Sequence, residues 1–242
     1  MTPSDFREAL RLPQSADVNR RVPKNAFMEQ IKGTVDRKLF DTTVERLDWL
    51  ATLSPASIGV ATASFDSGAV EELLLFTLSA RKEPTQRLLQ VIHQSMPYPL
   101  LLVTHWPHGK AARLSLLPRY APSPALLTTD LVPCPATSAF GDALALAGLP
   151  STNLAVLYNG LIERVQALLA SQISDSPFRV AANAEQAKQR ASALEAFTKA
   201  EAEYRSLKAA ASREKRLARA VELGAMTARA KTSMEATIRM LS

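Results

Sequence analysis

The 242 residues hold one cysteine, eight glycines and three histidines, and aromatic side chains make up only 6% of them. Each shortage removes a class of chemistry. The single thiol, Cys134, allows no internal disulfide, so nothing points to an oxidising compartment. None of the glycines gather into a strand-to-helix turn of Walker or dinucleotide type, which argues against ATPase and Rossmann oxidoreductase readings. His105 and His108 flank Trp106-Pro107, but a zinc site takes three or four ligands, so both read as turn residues and His93 as a partly buried helix residue. Cys134 lies between Pro133 and Pro135, and no serine occupies a Gly-x-Ser-x-Gly elbow, so no nucleophile is signalled locally. Scarce aromatics leave stacking on single-stranded nucleic acid unsupported. The longest apolar runs, such as Leu73 to Phe76 and Leu100 to Val103, fall far short of the roughly 20 residues of a membrane helix. The start, Met1-Thr2-Pro3-Ser4-Asp5, lacks the basic head and apolar stretch of a signal peptide. The expectation is a cytoplasmic protein with no membrane segment, no metal and no cofactor.

What is present is unevenly distributed. Apolar residues make up 47% of the chain and charged residues 21%, enough for a packed core. Residues 185–242 hold 12 Lys+Arg against 7 Asp+Glu, a net of +5, whereas residues 1–184 hold 17 against 16. Nearly all the excess positive charge therefore sits in the last quarter, as a basic appendage suited to nucleic acid or an acidic partner, or as an ordinary solvated helical face. All 15 prolines lie at or before Pro177, and Gly224 is the sole glycine after Gly160. The proline-free end is rich in Ala, Glu, Lys, Arg and Leu, which predicts long helices. Leu194, Phe197, Ala200, Tyr204, Leu207 and Ala211 recur at three- and four-residue steps. So do Leu217, Val221, Gly224, Ala228, Lys231, Met234, Ile238 and Leu241. Such spacing is that of a coiled-coil seam. A single rod would approach about 100 Å in length, so a hairpin bending between Ser212 and Gly224 is expected.

The first 180 residues read as a mixed sheet domain. The pattern predicts a helix over Val35 to Leu53, strands over Ser57 to Ser64 and Val70 to Ala80, and a helix from Glu83-Pro84 to Met96. Further strands are expected over Pro99 to Trp106 and Ala111 to Leu117, split by the turn Pro107-His108-Gly109-Lys110, with a weaker extended piece over Ala125 to Val132. Helices near Ser138 to Ala147 and Asn153 to Ser174 complete an α+β domain over residues 1–180, followed by a basic helical coiled-coil tail over 181–242.

Two constellations remain. In restriction-endonuclease-like cores, carboxylates hold Mg²⁺ and a lysine in a Glu/Asp-x-Lys triplet helps activate water. Here Asp66, Glu71 and Glu72 stand beside a central strand that ends Ser79-Ala80-Arg81-Lys82, so Ser79 and Arg81 occupy the places of the acid and the lysine. That makes a metal-dependent nuclease with a degenerate core the alternative reading, and an ordinary strand start the plainer one. The second constellation is basic: Arg20, Arg21 and Lys24 near the start, and Arg213, Lys215, Arg216 and Arg219, four cations in seven residues. Arg213, Arg216 and Arg219 fall about one helical turn apart, which suits contact with a phosphate backbone.

Four segments carry a resemblance. They are Leu12-Pro13 with Val18-Asn19-Arg20-Arg21-Val22-Pro23-Lys24 and Phe27; Val44-Glu45-Arg46-Leu47-Asp48-Trp49 leading to Leu53-Ser54-Pro55; Val91-Ile92-His93 running into Met96-Pro97-Tyr98-Pro99 and Leu100 to Val103; and Arg213-Glu214-Lys215-Arg216-Leu217 with Val221-Glu222-Leu223. In this order they resemble the bacterial domain-of-unknown-function family 4391. The resemblance implies an α/β body with a helical tail, encoded near helicases and DNA methyltransferases of phage-defence or restriction type. It supplies no catalytic residues. The expected role is a non-enzymatic accessory subunit that meets a helicase, a DNA methyltransferase or a second copy through its coiled coil, with basic residues on DNA.

Overall fold

The computed structural model describes residues 3–65, 68–109, 111–120 and 124–241. The chain divides into two compact units, 1–165 and 166–242. In chain order, helix α1 (Pro3–Leu10) leads to strand β1 (Asp17–Arg21) and helices α2 (Lys24–Gln30) and α3 (Thr34–Thr43). Strand β2 (Val44–Leu53) and the short helix α4 (Pro55–Ile58) precede a small hairpin, β3 (Ala63–Phe65) with β4 (Gly68–Val70). Then come β5 (Leu73–Ala80), α5 (Gln86–Ser95), β6 (Leu100–His105), β7 (Arg113–Leu116), β8 (Leu127–Asp130), α6 (Pro135–Ala143) and α7 (Leu154–Ser174). Helices α8 (Ala184–Arg213) and α9 (Leu217–Arg239) finish the described chain. The result is an α+β fold with a C-terminal helical pair.

The main sheet has the order β1-β2-β5-β6-β7-β8. Its neighbours are antiparallel except β5 and β6, which run parallel through the crossover helix α5. Seven of the eight β5 side chains are buried, as befits a central strand covered on both faces. Leu74, Phe76 and Leu78 turn to one side and join Phe27, Phe40, Val44, Leu47, Leu88, Leu89, Ile92, Leu100 and Leu102 in one apolar cluster. Within it the rings of Phe27 and Phe40 stack at 5.0 Å. Leu73, Leu75, Thr77 and Ser79 alternate to the other side.

Two local expectations give way to tertiary structure, and one strand is not expected at all. The helix expected over Val35 to Leu53 is α3 followed directly by β2, and Val35 is 79% exposed. Bulges at Val44/Arg46 and Trp49/Ala51 each add a residue to β2. They stretch the two-residue alternation into three-residue steps that mimic a helix. The strand expected from Ser57 is instead a helical turn, because Ser54 and Ser57 form a capping box: Ser57 Oγ accepts from Ser54 N at 2.8 Å. Gly59, at φ +69°, ends that turn, and extended structure begins only at Ala63. β1 has no apolar alternation to announce it; it is a polar edge strand kinked at Asn19, whose φ is +47°.

Helix α5 starts later than Glu83-Pro84, at Gln86, where the Thr85 hydroxyl caps Leu88 N at 3.3 Å. In the second unit α8 is capped by Asn183, whose side chain accepts from Gln186 N at 2.9 Å. Leu194, early in α8, and Leu241, beyond the end of α9, share an apolar cluster with Ala170 and Ala193, so the two helices run antiparallel. The break falls at Glu214 to Arg216, inside the expected window.

The α8 stripe lies where the spacing puts it, with Leu194 buried and Phe197, Ala200, Tyr204, Leu207 and Ala211 half-buried. The α9 stripe does so only in its last three members, Met234, Ile238 and Leu241. Leu217, Val221, Gly224, Ala228 and Lys231 are exposed, whereas Ala220, Leu223, Thr227, Ala230, Met234, Ile238 and Leu241 are buried or half-buried. The turn sets the rotation of α9, and the inward face accepts Ala and Thr because close helix packing favours small side chains there.

Candidate functional site

The polar side chains of the sheet collect where β5 and β6 end. Their parallel register sets Ser79 beside His105, and Ser79 Oγ lies 2.8 Å from His105 Nε2. Across the other edge of β5, Arg46 pairs in register with Ser79 and Asp48 with Thr77. Arg46 and Asp48 form an ion pair at 2.6 Å. Burial pushes the His105 imidazole below its ordinary range, and the negative charges of Asp48 and Glu45 partly oppose that. His105 is therefore neutral at pH 7.

A serine beside a neutral imidazole makes two members of a hydrolytic triad, whose third is a carboxylate that orients the other ring nitrogen. Among the described residues His105 Nδ1 is buried without a hydrogen-bond partner, and Asp48 is engaged with Arg46. The pair therefore lacks its orienting group. Sequence spacing could not find it, since 26 residues separate Ser79 from His105 and only the crossover joins them. Position 105, read as a turn residue, is the last of β6.

The nuclease reading placed its metal at Asp66, Glu71 and Glu72. Asp66 lies outside the described residues. Glu71 and Glu72 precede β5, at the end of the strand opposite Ser79. Glu71 is exposed and accepts from the Tyr98 hydroxyl at 3.1 Å, which raises the phenol above its usual range. Among the described residues no three His, Cys, Asp or Glu side chains converge as metal ligands.

His93 and the single thiol support the fold. His93 is 1% exposed, and its Nε2 lies 3.0 Å from Ser115 Oγ. Burial, with the nearby Arg119 charge, pushes it down to about 3. Cys134 is the N-cap residue of α6, and its Sγ sits 3.3 Å from Thr137 Oγ1, a contact that lowers the thiol below its usual range.

The basic residues separate into two groups. Arg20 and Arg21 are exposed on β1 and, as neighbours in a strand, project to opposite faces. Lys24 is held by Asp41, through the carboxylate and the backbone oxygen, both at 3.0 Å. These three make no common patch.

The tail cations do gather. Arg213 ends α8, Lys215 and Arg216 form the turn, and Arg219 sits in the first turn of α9; all four are exposed. Glu214 organises the turn: one carboxylate oxygen accepts from Lys215 N at 3.0 Å and Arg216 N at 2.9 Å, and the Arg216 guanidinium holds its acid below the usual carboxylate range. Arg219 pairs with Glu222. The exposed start of α9 adds the positive end of a helix dipole to the same tip. Among the described residues no helix is long and apolar enough to cross a membrane.

No curated protein and no solved structure matches the chain significantly. A family model described as a domain of unknown function, DUF4391, matches residues 10–233 of the 242. With a match over nearly the whole of both units, the chain belongs to the DUF4391 family.

Proposed function

We propose that this protein is a non-enzymatic accessory subunit of a bacterial DNA-processing system of restriction or phage-defence type. It works in the cytoplasm, without a cofactor, by contacts to a helicase or DNA methyltransferase of the same system and to the DNA backbone. The observation that carries this reading is the tip of the helical pair, where Arg213, Lys215, Arg216 and Arg219 converge in solvent on a three-residue turn. Cations held there by a short, internally bonded turn present a fixed positive surface, and backbone contact needs charge and position without base-reading side chains. The incomplete Ser79–His105 pair supports contact over catalysis, because a serine without an oriented base is a weak nucleophile.

The test is binding of purified protein, alone and with the neighbouring helicase or methyltransferase, to a double-stranded oligonucleotide over a salt series. Changing all four tip cations to Glu should abolish salt-sensitive binding. If all four touch phosphates, the wild-type log–log salt slope is steeper by about 3.6 units. Unchanged binding to DNA and to both proteins would overturn the proposal. So would Mg²⁺- or Mn²⁺-dependent cleavage lost in Glu72→Gln or Asp66→Asn, which would establish the nuclease.

A further inference from the structure

The four cations at the tip of the helical pair are not equivalent. Arg216 is engaged by Glu214: its Nε donates to one carboxylate oxygen at 3.2 Å and its Nη2 to the other at 3.4 Å. The first of those oxygens also accepts from Lys215 N and Arg216 N. The Glu214 side chain is only 18% exposed, so releasing Arg216 would leave a largely covered carboxylate without its countercharge. Arg219 is paired with Glu222, about one turn further along α9. Arg213 and Lys215 are exposed, and among the described residues their side chains form no ion pair or hydrogen bond. Four cations and two carboxylates give the tip a net of +2, and the pairing locates that excess on Arg213 and Lys215.

Affinity for a polyanion counts the cations that neutralise its phosphates and release their counterions. A cation already matched by a carboxylate brings that carboxylate's repulsion with it, so the pair adds little. The exposed pair of Arg219 is weak in itself, but a phosphate that took Arg219 would come to lie beside Glu222, like charge against like. Arg213 and Lys215 bring no such repulsion. Their Cα atoms are two residues apart, at most about 7 Å. One residue ends α8 and the other stands in the turn that Glu214 pins, so both side chains spring from ordered backbone. A guanidinium fork and a compact ammonium both suit phosphate oxygens. We infer that the tip holds the backbone of duplex DNA through Arg213 and Lys215, while Arg216 and Arg219 stay on Glu214 and Glu222 as parts of the turn. This rests on the accessory-subunit reading and names which of its charges meet the nucleic acid.

The experiment uses the full chain and a short labelled DNA duplex, with fluorescence anisotropy over a salt series giving the log–log slope. Arg213→Gln with Lys215→Gln should weaken binding and flatten the slope by about 1.8 units, the share of two phosphate contacts. Removing a whole ion pair, Arg219→Gln with Glu222→Gln or Arg216→Gln with Glu214→Gln, should leave the slope at its wild-type value. Circular dichroism reports the helices of each variant, and if the Glu214 pair disturbs the turn, the Arg219 and Glu222 pair decides alone. A slope flattened as much by removing a pair as by removing Arg213 and Lys215 overturns the inference, because paired cations then turn to phosphate. An unchanged slope in the Arg213, Lys215 variant overturns it too. If that variant keeps its DNA slope but loses the helicase or methyltransferase, the two charges belong to an acidic protein surface and the inference falls. If wild type binds DNA, the four-Glu variant does not, and the slope is shared evenly among the four cations, the inference alone falls and the accessory reading stands. Wild type without salt-dependent DNA binding removes the DNA contact from that reading, and the inference with it.

Discussion

Ser79 Oγ and His105 Nε2 stand 2.8 Å apart across the parallel β5–β6 pair, while the other nitrogen of the same ring is buried with no hydrogen-bond partner among the described residues. One side of the imidazole is satisfied and the other is not, which makes its protonation sensitive to every charge nearby. Its folded pKa lies below the free value because burial outweighs the pull of Asp48 and Glu45. Asp48→Asn should therefore lower it further, read from the ring-proton NMR titration. An unchanged or raised value would mean that Asp48 does not act on the ring. Ser79→Ala leaves both nitrogens unpartnered and should cost about 1–2 kcal/mol in urea unfolding.

His93 gives the protein an acid limit. Its folded value of about 3 lies below the unfolded 6.5, so the unfolded chain binds the proton first. The stability due to keeping this ring neutral is whole above pH 6.5 and is lost as pH falls from there toward 3, about 5 kcal/mol in all. His93→Gln retains a group able to bond Ser115 and cannot take up that proton. Thermal midpoints of the variant should fall less between pH 7 and 4 than those of wild type; parallel curves would assign the acid sensitivity elsewhere.

Arg164 holds three carbonyls, those of Ala143, Gly160 and Gly148, at 2.7, 2.9 and 2.9 Å, although only 7% of it is exposed. Burial lowers its pKa, yet the guanidinium stays charged, and each of its three nitrogens donates to a carbonyl. Arg164→Leu takes a charged donor from three carbonyls, of which that of Gly160 is buried, and should cost about 3 kcal/mol by chemical denaturation. A loss under about 1 kcal/mol would show that the carbonyls find other donors.

The register of α9 can be checked with one pair of substitutions. Leu223→Asp puts a charge where only 7% of the residue is exposed and should lower the thermal midpoint of the helical pair sharply; Leu217→Asp, at 81% exposed, should leave it nearly unchanged. The opposite ranking would restore the stripe read from the spacing.

The four-Glu change at Arg213, Lys215, Arg216 and Arg219 should move the thermal midpoint by no more than about 3 °C, because exposed ion pairs contribute little to folding. A collapse of helicity would make the cluster a structural element of the turn.

Composition and punctuation determined a good deal by themselves. The end of proline at Pro177 marks the helical tail, since proline cannot sit inside a helix and this chain runs 65 residues without one. The apolar runs Leu73 to Phe76 and Leu100 to Val103 are buried central strands, because only a strand covered on both faces can be apolar at consecutive positions. Exposure of Arg213, Lys215, Arg216 and Arg219 follows from placing four cations on a turn. Tertiary structure decided the rest. β2 reads as helix until two bulges and two flanking strands claim its backbone. The face that α9 buries was fixed by the rotation of a three-residue turn, which no helical period encodes. The Ser79–His105 contact exists only because a crossover helix returns β6 beside β5 in a register that matches the two residues. Spacing along a chain reports the face of one element, and the meeting of two elements is set by packing that no single segment contains.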